Sequence, residues 1–372
     1  MTETNPDAAT VSAVRSCRDA LPPTPAGGDV VFGFDGYVDT VRQVRTDIDG
    51  ETTEPLESLA ALRDRIGDAV AADSSLALDW HDRGRRAGGH VCHLARAWDR
   101  LEYDPTLLGM LGKPQLPLFD DEFGHLETHS LGEPGYTDAM EFEDGKLMLN
   151  EEGDIRQFDW ETLTSTLGRE TLVDAIDGTE LFGIGYWAMA PRLPSVFDGL
   201  RDDVWPSLTD PPGHVLLDPA DIRKLNGDTV EAMVEATERL DDVATVTLSA
   251  NRAETRALAD ALGRSQTDDP TRAVFDAVDV SRVVTHGVYE SRSFTASDTA
   301  SVAVSPVADP EMTTSAGDHF NAGLSFGLVG GFDDAEALVV GNALARQFVV
   351  TGTTPTYGDL TEAVESYLGQ FD

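Results

Sequence analysis

In the stretch Glu311-Met-Thr-Thr-Ser-Ala-Gly-Asp-His-Phe-Asn-Ala-Gly323, small residues run into an acid and then into an apolar repeat. Ser315, Ala316 and Gly317 precede Asp318, and Phe320, Leu324 and Leu328 follow at helical spacing. Asp is favoured at a helix start because its carboxylate can accept the free amide hydrogens there. Small residues just before it let the backbone come close to a ligand. Together they supply amide donors at the positive end of a helix dipole, which suits a phosphate. A carboxylate beside an anion cradle needs a task, and taking a proton from a hydroxyl that attacks the phosphate is such a task. The plainer alternative is a capped helix after a tight turn.

Two upstream blocks have the same grammar. Val30-Val-Phe-Gly33 reads as a short buried strand, so Asp35 and Asp39 emerge beyond its carboxyl end, where open α/β sheets bind ligands. Gly88-Gly89 leads into a helix with apolar Val91, Leu94, Ala95 and Trp98, again offering bare amides at a helix start. His90, Cys92 and His93 invite a metal reading. His90 and His93 share a face at i,i+3, but Cys92 points elsewhere and no second ligand pair follows at zinc spacing. Further on, Asp218 and Asn251 each follow a strand, and Asn251-Arg-Ala-Glu254 also reads as a capped helix start.

The ordered set resembles the ribokinase-like, or PfkB, carbohydrate kinases. Thr313, Ala316, Gly317 and Asp318 match that family's Asp-Thr-x-Gly-Ala-Gly-Asp signature, with Met312 and Ser315 departing from it. The resemblance implies an anion hole at Ser315, Ala316 and Gly317 and makes Asp318 the catalytic base. Gly88, Gly89 and Ala95 match the Gly-Gly-x-x-x-Asn-x-Ala signature, with His93 at the Asn position. It implies substrate binding by Asp35 or Asp39, of which Asp39 matches better, and by Gly88, Gly89 and His93. Asn251-x-x-Glu254 is similar to the family's motif for magnesium and phosphate placement, with Glu254 on Mg²⁺ directly or through water. Thr285-His-Gly287 resembles the Thr-x-Gly of the nucleotide site, although Glu290 stands where a further Gly is expected. Leu338–Val350 is the helix expected to flank adenine, with Asn342 facing it.

The elements that must position these residues alternate from about residue 155: helices separate short buried strands at Leu181–Tyr186, Val215–Leu217, Thr245–Leu248 and Val283–Thr285. Such alternation means a parallel, doubly wound sheet. The expected fold is therefore α/β, a three-layer α/β/α core whose sheet is mostly parallel. Met140, Phe142, Leu147 and Leu149 alternate around Asp144-Gly145, a hairpin signal. By the resemblance, segments at about 37–53 and 127–155 form a small β-sheet lid inserted in a single domain spanning 1–372. A lid suits phosphoryl transfer because water must be kept out. No Gly-x-Gly-x-x-Gly follows the first strand and there is no Walker loop, which excludes those nucleotide sites.

Composition narrows the partners. Sixty-seven acidic against 27 basic residues give a net charge of −40, which argues against nucleic acid and anionic membranes. Only Lys113, Lys146 and Lys224 are lysines. Acidic charge spread through a chain with 41% hydrophobic residues resembles cytoplasmic proteins of extreme halophiles. Cys17 and Cys92 make no disulfide framework, and no signal peptide or membrane-length apolar run is present, so a cytoplasmic protein is expected. The expectation is a kinase that uses ATP and Mg²⁺ on a hydroxyl of a small sugar-like acceptor. A homodimer through the lid is expected with it. A nucleoside or a sugar phosphate is the alternative acceptor, the latter suggested by Arg42, Arg45, Arg85 and Arg86. A non-catalytic sensor on the same fold is the alternative of another class.

Overall fold

The computed structural model describes residues 6–47 and 53–371. Its central element is β1 (Asp29–Gly33), whose alternation sends Val30 and Phe32 into one hydrophobic layer and Val31 into the other. A nine-stranded sheet is built around it. On one side of β1 lie β5 (Asp104–Gly109) and β6 (Glu127–Ser130). On the other side lie β9 (Leu181–Ile184), β10 (His214–Leu217), β11 (Val246–Asn251) and β12 (Arg282–His286), all parallel. The antiparallel pair β13 (Glu290–Thr295) and β14 (Thr299–Ala303) closes that edge.

Parallel strands buried on both faces need helices above and below. One layer contains Ala8–Ala20, His90–Arg100, Ala316–Val329 and Asp334–Thr351, the other Trp160–Leu167, Arg169–Ile176, Gly227–Asp241 and Arg252–Ala261. The three layers are those expected. Trp98 is fully buried against Phe32, Tyr103 and Phe326 in the first layer. Each such large apolar side chain contributes about 1.5–3 kcal/mol.

The smaller sheet has five strands: β2 (Tyr37–Asp47), β3 (Thr53–Pro55), β4 (Asp79–Gly88), β7 (Gly135–Phe142) and β8 (Gly145–Glu151). The hairpin expected at Asp144-Gly145 is present, with Phe142 opposite Gly145. Two boundaries differ from expectation. Residues 127–130 pair with β5 in the large sheet, so only 135–151 of the second segment belongs to the small one. The strand β4 joins β2 along 79–88 although its residues are largely polar and exposed. It is held by backbone pairing rather than by an apolar face, so alternation gives no sign of it. Residues 48–52 of the first segment lie outside the described residues. Among the described residues no helix is long and apolar enough to cross a membrane.

Candidate active site

The helix Ala316–Val329 begins two residues before Asp318, with Ser315 at its N-cap in the left-handed region (φ 73°) and making no side-chain cap. Asp318 therefore does not cap the helix. Its Oδ1 instead accepts a hydrogen bond from the Tyr186 hydroxyl at 2.7 Å and meets His90 Nδ1 at 3.0 Å. The plainer reading of the stretch, a carboxylate occupied with its own helix, fails on this geometry. Burial acts to raise the Asp318 carboxyl, but hydrogen bonds and nearby positive charge bring it down to about 2. His93 is driven to about 3 by burial and is neutral at pH 7, so the depression is assigned to His90 and Tyr186. Asp318 is 5% exposed and ionised.

The anion cradle is narrower than the sequence suggests. Ala316 N–H points back to the Thr313 carbonyl at 3.3 Å. The amides of Gly317 and Asp318 have no protein partner among the described residues. Gly317 also sits close to a neighbour, since a Cβ there would lie 3.2 Å from the His286 ring.

The two glycines and the two aspartates form two pairs. Gly89 (φ 90°) is the N-cap of the helix His90–Arg100, and a Cβ there would lie 2.9 Å from Asp35 Oδ2. Asp35 accepts the amides of His90 (2.9 Å) and Val91 (3.0 Å) and is fully buried, which pushes its carboxyl up to about 6. It is spent on that helix start and is not free to bind substrate as expected. Gly88 has the same relation to Asp39, whose carboxylate would collide with any Cβ at 88. Asp39 is 9% exposed, is raised by burial, and is opposed in this by Arg86 and a hydrogen bond from Thr137. Asp39, on β2, remains the substrate-side candidate.

His93 Nε2 lies 2.9 Å from Ser315 Oγ, and its Nδ1 lies 3.0 Å from an Arg96 nitrogen. Arg86 on β4 reaches the Met312 sulfur at 3.1 Å, and its Nε is buried without a partner among the described residues. Lys146 on β8 contacts the Thr314 hydroxyl. The small sheet thus brings a guanidinium and an ammonium to the loop before Asp318. Of the other arginines suggested by the sequence, Arg42 is paired with Asp82 and Asp138 and Arg45 bonds Thr53, while Arg85 is exposed.

On the expected nucleotide side, Asn251 and Glu254 form a reciprocal capping box: Asn251 Oδ1 accepts the amides of Ala253 and Glu254, and Glu254 accepts the amide of Asn251. Thr285 Oγ1 is engaged with Thr255 and Thr271, both at 2.9 Å. Asn342 is buried, and its amide donates to Ser291 (2.8 Å) and Tyr367 (3.1 Å). Thr285 and Asn342 are therefore framework rather than open donors. Gly287 follows β12, and Glu290, standing where the resemblance expects Gly, opens β13. Glu254 is raised by burial and by the charges of Asp221 and Asp318. A carboxylate crowded by others in this way suits a divalent cation arriving with phosphates.

The metal reading of His90, Cys92 and His93 is not met, because His90 and His93 turn to Asp318 and Ser315 and Cys92 is buried. The only His, Cys, Asp and Glu cluster with ligand atoms close enough to surround an ion, among the described residues, is His90, Asp218 and Asp318, within 4.8 Å of one another. Its atoms already make hydrogen bonds: Asp218 accepts from Asn321 Nδ2 and the Ala220 amide, both at 2.8 Å. We read it as a buried hydrogen-bond network. Tyr186 and His90 were not assigned to the site from sequence. The available signs were their places, Tyr186 after Gly185 at the end of a buried strand and His90 directly after the glycine pair.

A profile of the prokaryotic ketohexokinase family matches residues 6–367. The chain belongs to that family. A ketohexokinase of Haloferax volcanii is 48% identical to it over 371 residues, 99% of each chain. Among solved structures, a ribokinase of Arabidopsis thaliana complexed with ribose and ATP superposes with a TM-score of 0.63 at 18% identity, covering 91% of this chain and 99% of that one. A carbohydrate kinase from Agrobacterium tumefaciens gives 0.61 at 18% identity over 92% and 97%. Both share the fold. The prokaryotic ketohexokinase family is of PfkB/ribokinase type, and as its member the chain is a sugar kinase, a phosphotransferase acting on a sugar hydroxyl.

Proposed function

We propose that the chain transfers the γ-phosphoryl group of ATP to a hydroxyl of a ketohexose, with Asp318 as general base. The observation that carries this reading is the state of Asp318: buried, ionised, pinned through one oxygen, and placed beside two open amides at a helix N-terminus. A carboxyl near 2 is a weak base toward a ground-state hydroxyl. In a loose phosphoryl-transfer transition state the hydroxyl grows acidic only as its bond to phosphorus forms, so an ionised acceptor in the right place is what is needed.

Under this reading Asp39, His93 and the backbone at Gly88 and Gly89 orient the acceptor. The amides of Gly317 and Asp318 stabilise charge on the transferring group and the leaving diphosphate. Mg²⁺, arriving with ATP, would neutralise phosphate charge, and Glu254 is the carboxylate suited to hold it, directly or through water. The nucleotide lies toward Asn251 and Gly287, with Thr285 and Asn342 supporting the strands behind. The small sheet acts as a lid, supported by the contacts of Arg86 and Lys146 with the loop before Asp318. Exposed Trp80, Tyr136, Met148 and Leu149 on its strands support pairing of two copies through it, which sedimentation in molar KCl tests. The unpaired buried thiols of Cys17 and Cys92 support a cytoplasmic setting.

A sugar-phosphate acceptor is the second reading, favoured by the unpartnered Nε of Arg86. One screen separates the two: ADP release in molar KCl with ketohexoses, aldoses, nucleosides and sugar phosphates. Turnover confined to sugar phosphates or nucleosides overturns the ketohexose assignment.

A further inference from the structure

Asp318 has two carboxylate oxygens, and the protein treats them differently. Oδ1 accepts from Tyr186 and meets His90 Nδ1, whereas no protein donor among the described residues reaches Oδ2. The His90 ring is fully buried and 5.0 Å from the Tyr186 ring. Its place is prepared by backbone. Gly89 turns the chain into the helix at φ 90°, and a Cβ on Gly185 would lie 2.5 Å from the ring.

Acids crowd this ring. A ring nitrogen lies within 4.8 Å of oxygens of both Asp318 and Asp218, and Asp35 accepts the backbone amide of His90 itself. The helix Ala316–Val329, the residue after β10 and the turns two residues beyond β1 and β9 thus present Asp318, Asp218, Asp35 and Tyr186 to it, with no second cation among the groups that shift it. Nε2 is buried without a partner among the described residues. Burial opposes a charged imidazole, but the hydrogen bond and the three carboxylates outweigh it and raise His90 above its ordinary value.

We propose that His90 is a positioning residue for phosphoryl transfer: with Tyr186 it fixes Oδ1 of Asp318 so that Oδ2 alone meets the acceptor hydroxyl. This rests on the reading of Asp318 as the base.

The test uses His90→Asn, which keeps a neutral donor near the Nδ1 position, His90→Leu, which keeps none, and Tyr186→Phe. Measurements are kcat and KM with MgATP and D-fructose across pH in molar KCl, thermal melting, the pH titration of the Asp318 carboxyl carbon by NMR, and the ¹⁵N shifts of the His90 ring. In His90→Leu, kcat falls about a hundredfold with little change in acceptor KM, the loss typical of misplacing a catalytic group by about 1 Å. His90→Asn recovers most of that loss, and Tyr186→Phe falls between the two. In both His90 variants the Asp318 carboxyl titrates at least about one pH unit higher than in the wild type, because the ring whose contact lowers it is gone. In the wild type Nδ1 of the His90 ring carries the proton shared with Asp318.

A residue that only packs lowers the melting temperature and leaves the Asp318 titration unmoved. An unmoved titration in folded His90→Asn overturns the inference, as does a wild-type ring whose Nδ1 carries no proton. These two readouts need neither turnover nor a folded His90→Leu. Near-normal turnover in Asp318→Asn removes the base and the His90 role with it. An inactive Asp318→Asn beside an unmoved titration removes the His90 role alone.

Discussion

Ser315 Oγ lies 2.9 Å from His93 Nε2, so two positions at which the chain departs from the kinase signatures touch each other. A side chain stands where the signature has bare Gly, and an imidazole stands where it has Asn; the hydroxyl of one meets the ring of the other. Ser315→Gly relieves a left-handed conformation that costs a non-glycine residue about 1–2 kcal/mol. It also loses a hydrogen bond of about 1 kcal/mol. The melting temperature should therefore stay nearly level and activity should persist. A double-mutant cycle with His93→Asn should show a coupling of about 0.5 kcal/mol or more in kcat/KM. Additive effects would mean that the contact has no energetic weight.

Asp318→Asn keeps the size and leaves the helix start intact, since Asp318 does not cap it. It removes the proton acceptor, and kcat should fall about 10²–10⁴-fold. The acceptor KM should change little, because the loss lies in the transition state. Steady-state kinetics and melting on one preparation check both halves, and near-normal turnover refutes the mechanism.

Gly88 and Gly89 should respond differently to a methyl group. Gly88→Ala drives a carbon into Asp39, so the acceptor KM should rise about tenfold, equivalent to about 1.4 kcal/mol, with the fold retained. Gly89→Ala meets Asp35 at a backbone angle of φ 90°, so it should lower the melting temperature first. Equal effects of the two on KM would contradict the division of roles between Asp39 and Asp35.

His286 and His319 are held at about 4 by burial. In the unfolded chain a histidine titrates near about 6.5. Between those values the unfolded chain binds more protons, so their contribution to stability is intact above about pH 6.5 and is withdrawn as pH falls toward 4. Asp35, raised to about 6, and Asp218, raised to about 7, both chiefly by burial, act in the opposite sense. They hold protons in the folded state, and stability is lost as pH rises through their folded values. The histidine effect must therefore be read by difference. His319→Gln should lose less stability than the wild type between about pH 6.5 and 4.5 in urea melts. Parallel curves would show that His319 is not held neutral.

The net charge of −40 predicts strong salt dependence. Raising KCl from tenth-molar to molar shortens the reach of repulsion from about 10 Å to about 3 Å. The melting temperature should rise across that range, and a flat response would count against a surface adapted to salt.

The large sheet and its helices were legible because strands such as Val30-Val-Phe-Gly33 are continuous apolar runs and Asp144-Gly145 is an unmistakable turn. The strand Asp79–Gly88 was not, because its residues are mostly exposed and polar and its pairing partner, β2, lies far back in the chain. In the site, Asp318 could be found from its neighbours in sequence. Tyr186 and His90 could not, since their role comes from converging on one oxygen from residues 132 and 228 positions away. The reverse holds at Asn342 and Thr285, whose polar groups are taken up by partners that no local pattern shows.

Asp39 and Arg86 lie on the small sheet, whereas Asp318 and the open amides lie at the start of a helix packed on the large one. A nucleotide resting on the large sheet alone would face a base without the carboxylate and cations that complete the acceptor side. Under the proposed mechanism such a partition is thrift: ATP without sugar meets only half of the machinery, and its breakdown waits for the molecule it is meant to modify.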